Sequence, residues 1–189
     1  MHPAFRLPIN FDPVALQRDL DAITGNGWVA HFNTPYYKGD WSGIPLRSVG
    51  GEPNRLYPDP VAQTPYADTP LLAHCPAFQH VLARLPFPHL AVRLLRLTPD
   101  SSIREHKDYN LGFEDGEIRL HIPIYTNPDV EFRLAGEQIV MLPGECWYLD
   151  FNLPHSVANR GTTDRIHLVV DGVVNDWVGE LFNLPSHQS

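Results

Sequence analysis

Nineteen prolines and thirteen glycines, spread along all 189 residues, constrain this chain more than any other feature. They cut it into short segments, which disfavours long helices and favours a β-rich fold. From Leu90 onward the segments read as seven short strands at close spacing: Leu90 to Thr98, Glu117 to Tyr125, Val130 to Leu134, Gln138 to Leu142, Glu145 to Asp150, His155 to Asn159 and Arg165 to Asp171. Such a series, with turn residues between its members, predicts a sandwich or jelly roll.

The first half is more mixed. Asp12 reads as an N-cap and Pro13 as the first residue of a helix, where its missing N–H costs nothing. Val14, Leu16, Leu20 and Ile23 give that helix an apolar stripe, and Gly25 and Gly27 end it. Trp28 to Asn33 and Ile44 to Val49 read as strands, separated by an aromatic, turn-rich stretch from Thr34 to Ser42. Glu52 to Pro70, with five prolines, reads as a long loop, and Pro76 to Leu85 and Val173 to Phe182 as helices. The fold class expected is mainly β (α+β). One domain covers 1–189: helices, strands and lid-like loops in 1–89, a β core in 90–171, and a closing helix and tail in 172–189.

A chain that is 43% hydrophobic and 19% charged can bury a core. Its net charge of −8 argues against broad binding to nucleic acid or to an anionic membrane. No apolar run approaches the length of a membrane span, and Met1 to Asn10 lacks the pattern of a signal peptide. Cys75 and Cys146 share no spacing motif, so a reduced, cytoplasmic compartment is the expectation.

The residues that carry chemistry cluster late in the chain. His106-x-Asp108 places an imidazole and a carboxylate on one side of an extended segment. Alone the pair is weak, since ten histidines make roughly one His-x-Asp expected by chance. In Ile118-Arg119-Leu120-His121-Ile122-Pro123-Ile124 the isoleucines and leucine share one face and Arg119 and His121 the other. Pattern alone favours a half-exposed strand with both polar residues in solvent. Arg93 and Arg96 lie on opposite faces of their strand, so one of them points inward and must find an anion or acceptor. His155 follows His106 by 49 positions, and Arg165 follows His155 by ten. Two histidines and an aspartate suit one face of an octahedral non-heme Fe(II), and a buried arginine suits a distal carboxylate.

The run Ile118-Arg119-Leu120-His121-Ile122-Pro123 resembles the Arg-x-His-hydrophobic-Pro strand of the aspartyl/asparaginyl β-hydroxylase family. So does Pro143-Gly144-Glu145-Cys146-Trp147-Tyr148-Leu149-Asp150, running into Pro154 to Gly161, and Arg165 to Asp171 resembles the family's closing strand. The resemblance implies an Fe(II)- and 2-oxoglutarate-dependent dioxygenase on a double-stranded β-helix, a cupin-like jelly-roll core. It implies His106, Asp108 and His155 as iron ligands, and Arg165 on the distal carboxylate of 2-oxoglutarate. Arg119 and His121 would lie near the co-substrate's other end, beside the metal. The implied reaction uses O2 and 2-oxoglutarate, releases succinate and CO2, and hydroxylates an unactivated C–H of an amino acid or an aspartyl/asparaginyl-type residue. Eukaryotic members have Gly where this chain has Asp108, so it resembles bacterial members, which include free L-proline cis-hydroxylases, at least as well.

Arg93 is a candidate clamp for a substrate carboxylate, and Tyr36, Tyr37, Trp41 and Arg47 are candidates for a lid. Packing explains these residues at least as readily, and His31, His74, His80 and His89 read as ordinary surface or packing residues. An alternative is a cupin-like metal-binding or sensor domain without oxygenase activity, which has no need of a cation at Arg165. A third is a β-sandwich with scattered histidines.

Overall fold

The computed structural model describes residues 3–183 except 24, 26, 58, 60 and 62. The expected C-terminal tail, 184–189, lies outside the described residues. In chain order the elements are β1 (Ala4–Asn10), α1 (Pro13–Ile23), β2 (Val29–Ala30), β3 (Tyr37–Lys38), β4 (Trp41–Val49), β5 (Tyr66–Asp68), α2 (Pro76–Ala83), β6 (His89–Leu97), β7 (Ser101–His106), β8 (Glu117–Tyr125), β9 (Val130–Leu134), β10 (Glu137–Gln138), β11 (Glu145–Leu149), β12 (His155–Asn159), β13 (Arg165–Val173) and α3 (Asp176–Asn183). They form two antiparallel sheets. The larger runs β1-β11-β8-β13-β6-β4-β2, with β5 on β4; the smaller runs β10-β9-β12-β7-β3. This is a double-stranded β-helix.

Alternation gives the large sheet two chemically different faces. Ile118, Leu120, Ile122 and Ile124 of β8, Val92 and Leu94 of β6, and Ile166, Leu168 and Val170 of β13 meet the helices in one apolar cluster. Leu16, Leu20 and Ile23 of α1, Phe78 and Val81 of α2, and Val178 of α3 complete it. Asp12 caps α1 through the Val14 N–H at 2.9 Å. Asp19, buried on α1, accepts from the N–H groups of Ala77 and Phe78 and so caps α2 in turn. The second cluster, with Trp41, Leu97, Ile103, Phe132, Leu149, Phe151 and Val157, draws on both sheets. Arg119 and His121 of β8 and Arg165, His167 and Asp171 of β13 alternate with these apolar residues and so lie on the opposite face of the sheet.

The structure corrects several local expectations. Arg119 and His121 are not in solvent: the Arg119 side chain is 12% exposed and His121 5%. The small sheet covers the face that a single-sheet pattern assigns to water. Trp28 to Asn33 pairs only at Val29–Ala30, because the chain bends into a turn before Pro35. Gln138 to Leu142 contributes ladder pairs at Glu137 and Gln138 only, after which the Ile139 N–H makes a single bond back to Phe132. Val173 completes β13, and the last helix starts at Asp176, where Asn175 accepts from the Val178 N–H. Strands β1, β3, β5 and β7 add to those that the sequence pattern predicts. Leu46 is fully buried beneath the β5 edge, where the Thr69 N–H bonds its carbonyl.

Candidate metal centre and the buried arginines

Strand pairing brings the two distant histidines together. His155 on β12 lies opposite His106 on β7 in the small sheet, and their rings are 4.2 Å apart. Asp108 lies two residues beyond the end of β7, on a loop whose N–H at Asp108 bonds the Phe151 carbonyl at 2.9 Å. The candidate donor atoms of His106, Asp108 and His155 all lie within 4.8 Å of one another.

The hydrogen bonds suit these side chains to a cation. His106 Nδ1 contacts the Arg104 carbonyl at 2.8 Å, and His155 Nδ1 contacts the Leu153 carbonyl at 3.0 Å. A carbonyl only accepts, so each Nδ1 carries the proton and each Nε2 presents a lone pair. His106 Nε2 is 3.8 Å from Asp108 Oδ1. Asp108 Oδ2 accepts from Arg119 Nη1 at 2.7 Å. Burial lowers the His155 pKa to about 4, against its Leu153 bond, which keeps the imidazole neutral and free to ligate near neutral pH. Two imidazole nitrogens and one carboxylate oxygen are the donor set expected of non-heme Fe(II).

Behind this triad lies a buried polar wall from β6, β8 and β13. Asp171 accepts from Arg93 Nη2 at 2.8 Å and from Arg119 Nε and Nη2 at 2.6 and 3.0 Å. Burial alone raises a carboxyl's pKa; here Arg119 and Arg93 hold Asp171 below its usual range. Arg165 is 2% exposed and has no carboxylate partner among the described residues. Its Nη2 donates to His167 Nδ1 at 2.9 Å, while its Nε has no partner. Burial pushes the guanidinium pKa down to about 9. Because His167 Nδ1 accepts from Arg165, the His121 Nδ1 at 3.2 Å must be the N–H of that contact. His121 Nε2 is then a buried lone pair with no partner. A cavity of about 360 Å³, lined by Val130, Phe132, Ile139 and Met141 among others, reaches Arg165 and His167. A buried cation on an apolar cavity wall fits a carboxylate ligand.

The lid candidates divide. Tyr36 packs at 5.5 Å on the ring of His106. Trp41 stacks on His31 at 3.4 Å, and Tyr37 meets Trp41 edge-on at 5.7 Å and donates to the His31 carbonyl. Arg47 is tied instead to the sheet edge, donating to Asp68, to the Tyr66 carbonyl and to the His89 carbonyl. Arg93 lies inside and also contacts the Leu56 carbonyl; Arg96 lies outside, over the Trp28 ring.

Three further residues join the site: His31, which reads from sequence as an ordinary surface or packing residue, Phe151 and Asp171. His31 is buried, and its pKa falls to about 3, from burial first and then from the Arg93 and Arg119 charges. Phe151 packs between His155 at 4.7 Å and His121 at 5.2 Å, with Arg119 over its ring. Asp171 ties two of the buried arginines together. Only Asp171 left a signal in the sequence: it shares the odd-numbered face of its strand with Arg165 and His167.

A double-stranded β-helix that gathers two histidines, an aspartate and a buried arginine with no carboxylate partner among the described residues has the build of a metal-binding jelly roll. The family described as Aspartyl/Asparaginyl beta-hydroxylase matches residues 14–174, and the chain belongs to it. It is 31% identical over 171 residues to the L-proline cis-4-hydroxylase of Rhizobium meliloti (strain 1021), covering 86% of this chain and 58% of that one. It is 26% identical over 167 residues to L-proline cis-3-hydroxylase 2 of Streptomyces sp, covering 86% and 57%. The chain thus spans a little under three fifths of the length of these relatives. Among solved structures, an oxidoreductase of the 2OG-Fe(II) oxygenase family from Burkholderia pseudomallei shares the fold at a TM-score of 0.62, with 18% identity over 92% of this chain and 86% of that one.

Proposed function

We propose that this chain is an Fe(II)- and 2-oxoglutarate-dependent hydroxylase of a free amino acid or a closely similar small molecule. The observation that carries the reading is the pairing of the His106–Asp108–His155 cluster with Arg165, a buried cation that has no anionic partner among the described residues. His106 and His155 would hold the iron through Nε2 and Asp108 through Oδ1. Arg165 would take the distal carboxylate of 2-oxoglutarate, with His167 holding its guanidinium from behind. His121 would face the co-substrate nearer the metal. Arg93, which makes one bond to Asp171 where Arg119 makes two, is the candidate for a substrate carboxylate. Arg119 serves Asp108 and Asp171. Iron with 2-oxoglutarate supplies the activation of O2 that attacks an unactivated C–H, with succinate and CO2 as the other products. The protein's part is to fix ligand geometry and to keep the site dry under the aromatic layer of Tyr36, Tyr37, Trp41 and His31.

The names of the relatives favour a free amino acid over a protein side chain, and the retained Asp108 agrees. The test is succinate release with Fe(II), ascorbate, 2-oxoglutarate and a panel of free amino acids and short peptides, with mass spectrometry for one added oxygen. Succinate formation and a product heavier by one oxygen with a free amino acid support the reading. Turnover with peptides alone contradicts the substrate class, and metal binding without any 2-oxoglutarate binding favours a cupin-like metal domain instead.

A further inference from the structure

Arg93, Asp171, Arg119 and Asp108 form one unbroken line of ion pairs that ends at the metal cluster. Asp171 grips Arg119 along one edge, through Nε and Nη2. That two-point contact fixes the plane of the guanidinium. It leaves Nη1 to reach Asp108, and Nη1 meets Oδ2 only; Oδ1 is the oxygen 3.8 Å from His106 Nε2. Asp108 stands on a loop, with a side chain 32% exposed, so β7 itself does not fix its carboxylate. Among the described residues its carboxylate accepts one hydrogen bond, from Arg119.

We propose that Asp171 is a positioning residue of the metal site. Acting through Arg119, it decides which oxygen of Asp108 faces the two imidazoles and limits that carboxylate to one-oxygen coordination. The inference rests on the metal reading above. A carboxylate with both oxygens free can chelate a cation with both or swing away from it. A guanidinium locked onto Oδ2 removes both options. Asp171 also offsets the Arg119 charge, which otherwise is opposed by Asp108 alone beside a divalent ion. Its own two oxygens are taken by Arg93 and Arg119, so it reaches the metal site through Arg119 rather than by direct contact.

The test uses the full chain stripped of metal and titrated with Co(II), read by calorimetry for affinity and by visible absorption for coordination. The wild type is expected to bind one Co(II). Asp171→Asn is expected to bind it about 10–100-fold more weakly and with a changed visible spectrum. Arg119→Met should show the same spectral change, and the double variant should lose no more than the worse single variant, since both act through one contact. If Asp171→Asn does not fold, Arg119→Met carries the test by the same two readouts. An Asp171→Asn affinity within twofold of wild type with an unchanged spectrum overturns the proposal, as do fully additive losses in the double variant. A wild type that binds no Co(II) overturns the metal reading itself, and the proposal with it.

Discussion

Replacing Arg165 by methionine is expected to move binding and stability in opposite directions. Arg165 is 2% exposed; among the described residues its Nε has no partner, and its guanidinium bonds a side chain only at the neutral imidazole of His167. Burial lowers its pKa to about 9 from 12.5. At about 1.4 kcal/mol per tenfold, that gap places roughly 5 kcal/mol of penalty on the charged form in the ligand-free fold. A depressed pKa in a base means the penalty stands in full below pH 9, where folded and unfolded chains are both protonated. Methionine fills similar space without the charge, and such exchanges stabilise by roughly 1–4 kcal/mol. At about 2–4 °C per kcal/mol for a chain of this size, the ligand-free melting temperature should rise by several degrees. The same change removes the proposed anchor of 2-oxoglutarate. Losing one partner of a buried charge pair costs about 2–5 kcal/mol, so affinity should fall at least roughly 30-fold. Calorimetric titration of the Mn(II)-loaded protein with 2-oxoglutarate, beside thermal melts of the ligand-free protein, reads both. A lower melting temperature together with unchanged affinity refutes the reasoning, because it makes Arg165 an ordinary structural residue.

Asp108→Ala should weaken Fe(II) or Co(II) binding strongly, measured by equilibrium titration; near-wild-type affinity means the metal is held without it. Burial lowers the pKa values of His121 and His167 well below 6.5. Their contribution to stability is therefore complete above about pH 6.5 and is lost progressively below it, as the unfolded chain takes up protons the fold refuses. Denaturant melts from pH 7.5 to 5 should show this slope, and His121→Gln/His167→Gln should flatten it. Asp12→Ala should cost about 1 kcal/mol through lost capping of α1, with metal affinity unchanged. Gly172→Ala should cost about 1–3 kcal/mol, since its Cβ would overlap the Phe87 ring and lie 2.9 Å from the Pro88 carbonyl oxygen; urea melts check both variants.

Much of the β core was legible because alternation is local. The isoleucine face of β8 and the apolar even positions of β13 state their burial in the sequence itself. The polar faces of the same strands were not legible as interior, because a second sheet, distant in sequence, covers them. β1 carries its own signal, with Leu7 and Ile9 inward and Pro8 suited to an edge, yet a short N-terminal run does not reveal its pairing to β11 some 140 residues away. His31 shows the same limit: its burial is made by stacking on Trp41, ten residues on, across a turn. His106 and His155 were legible as residues of interest. Their adjacency belongs to the β7–β12 register.

An anaerobic titration of the Fe(II)-loaded chain with 2-oxoglutarate tests most directly whether His106, Asp108 and His155 hold an iron that takes the co-substrate. One iron per chain is expected, with a visible charge-transfer absorption that grows with 2-oxoglutarate to one equivalent and is absent in Asp108→Ala. Iron that binds tightly with no such absorption, or an absorption that persists in Asp108→Ala, contradicts that assignment.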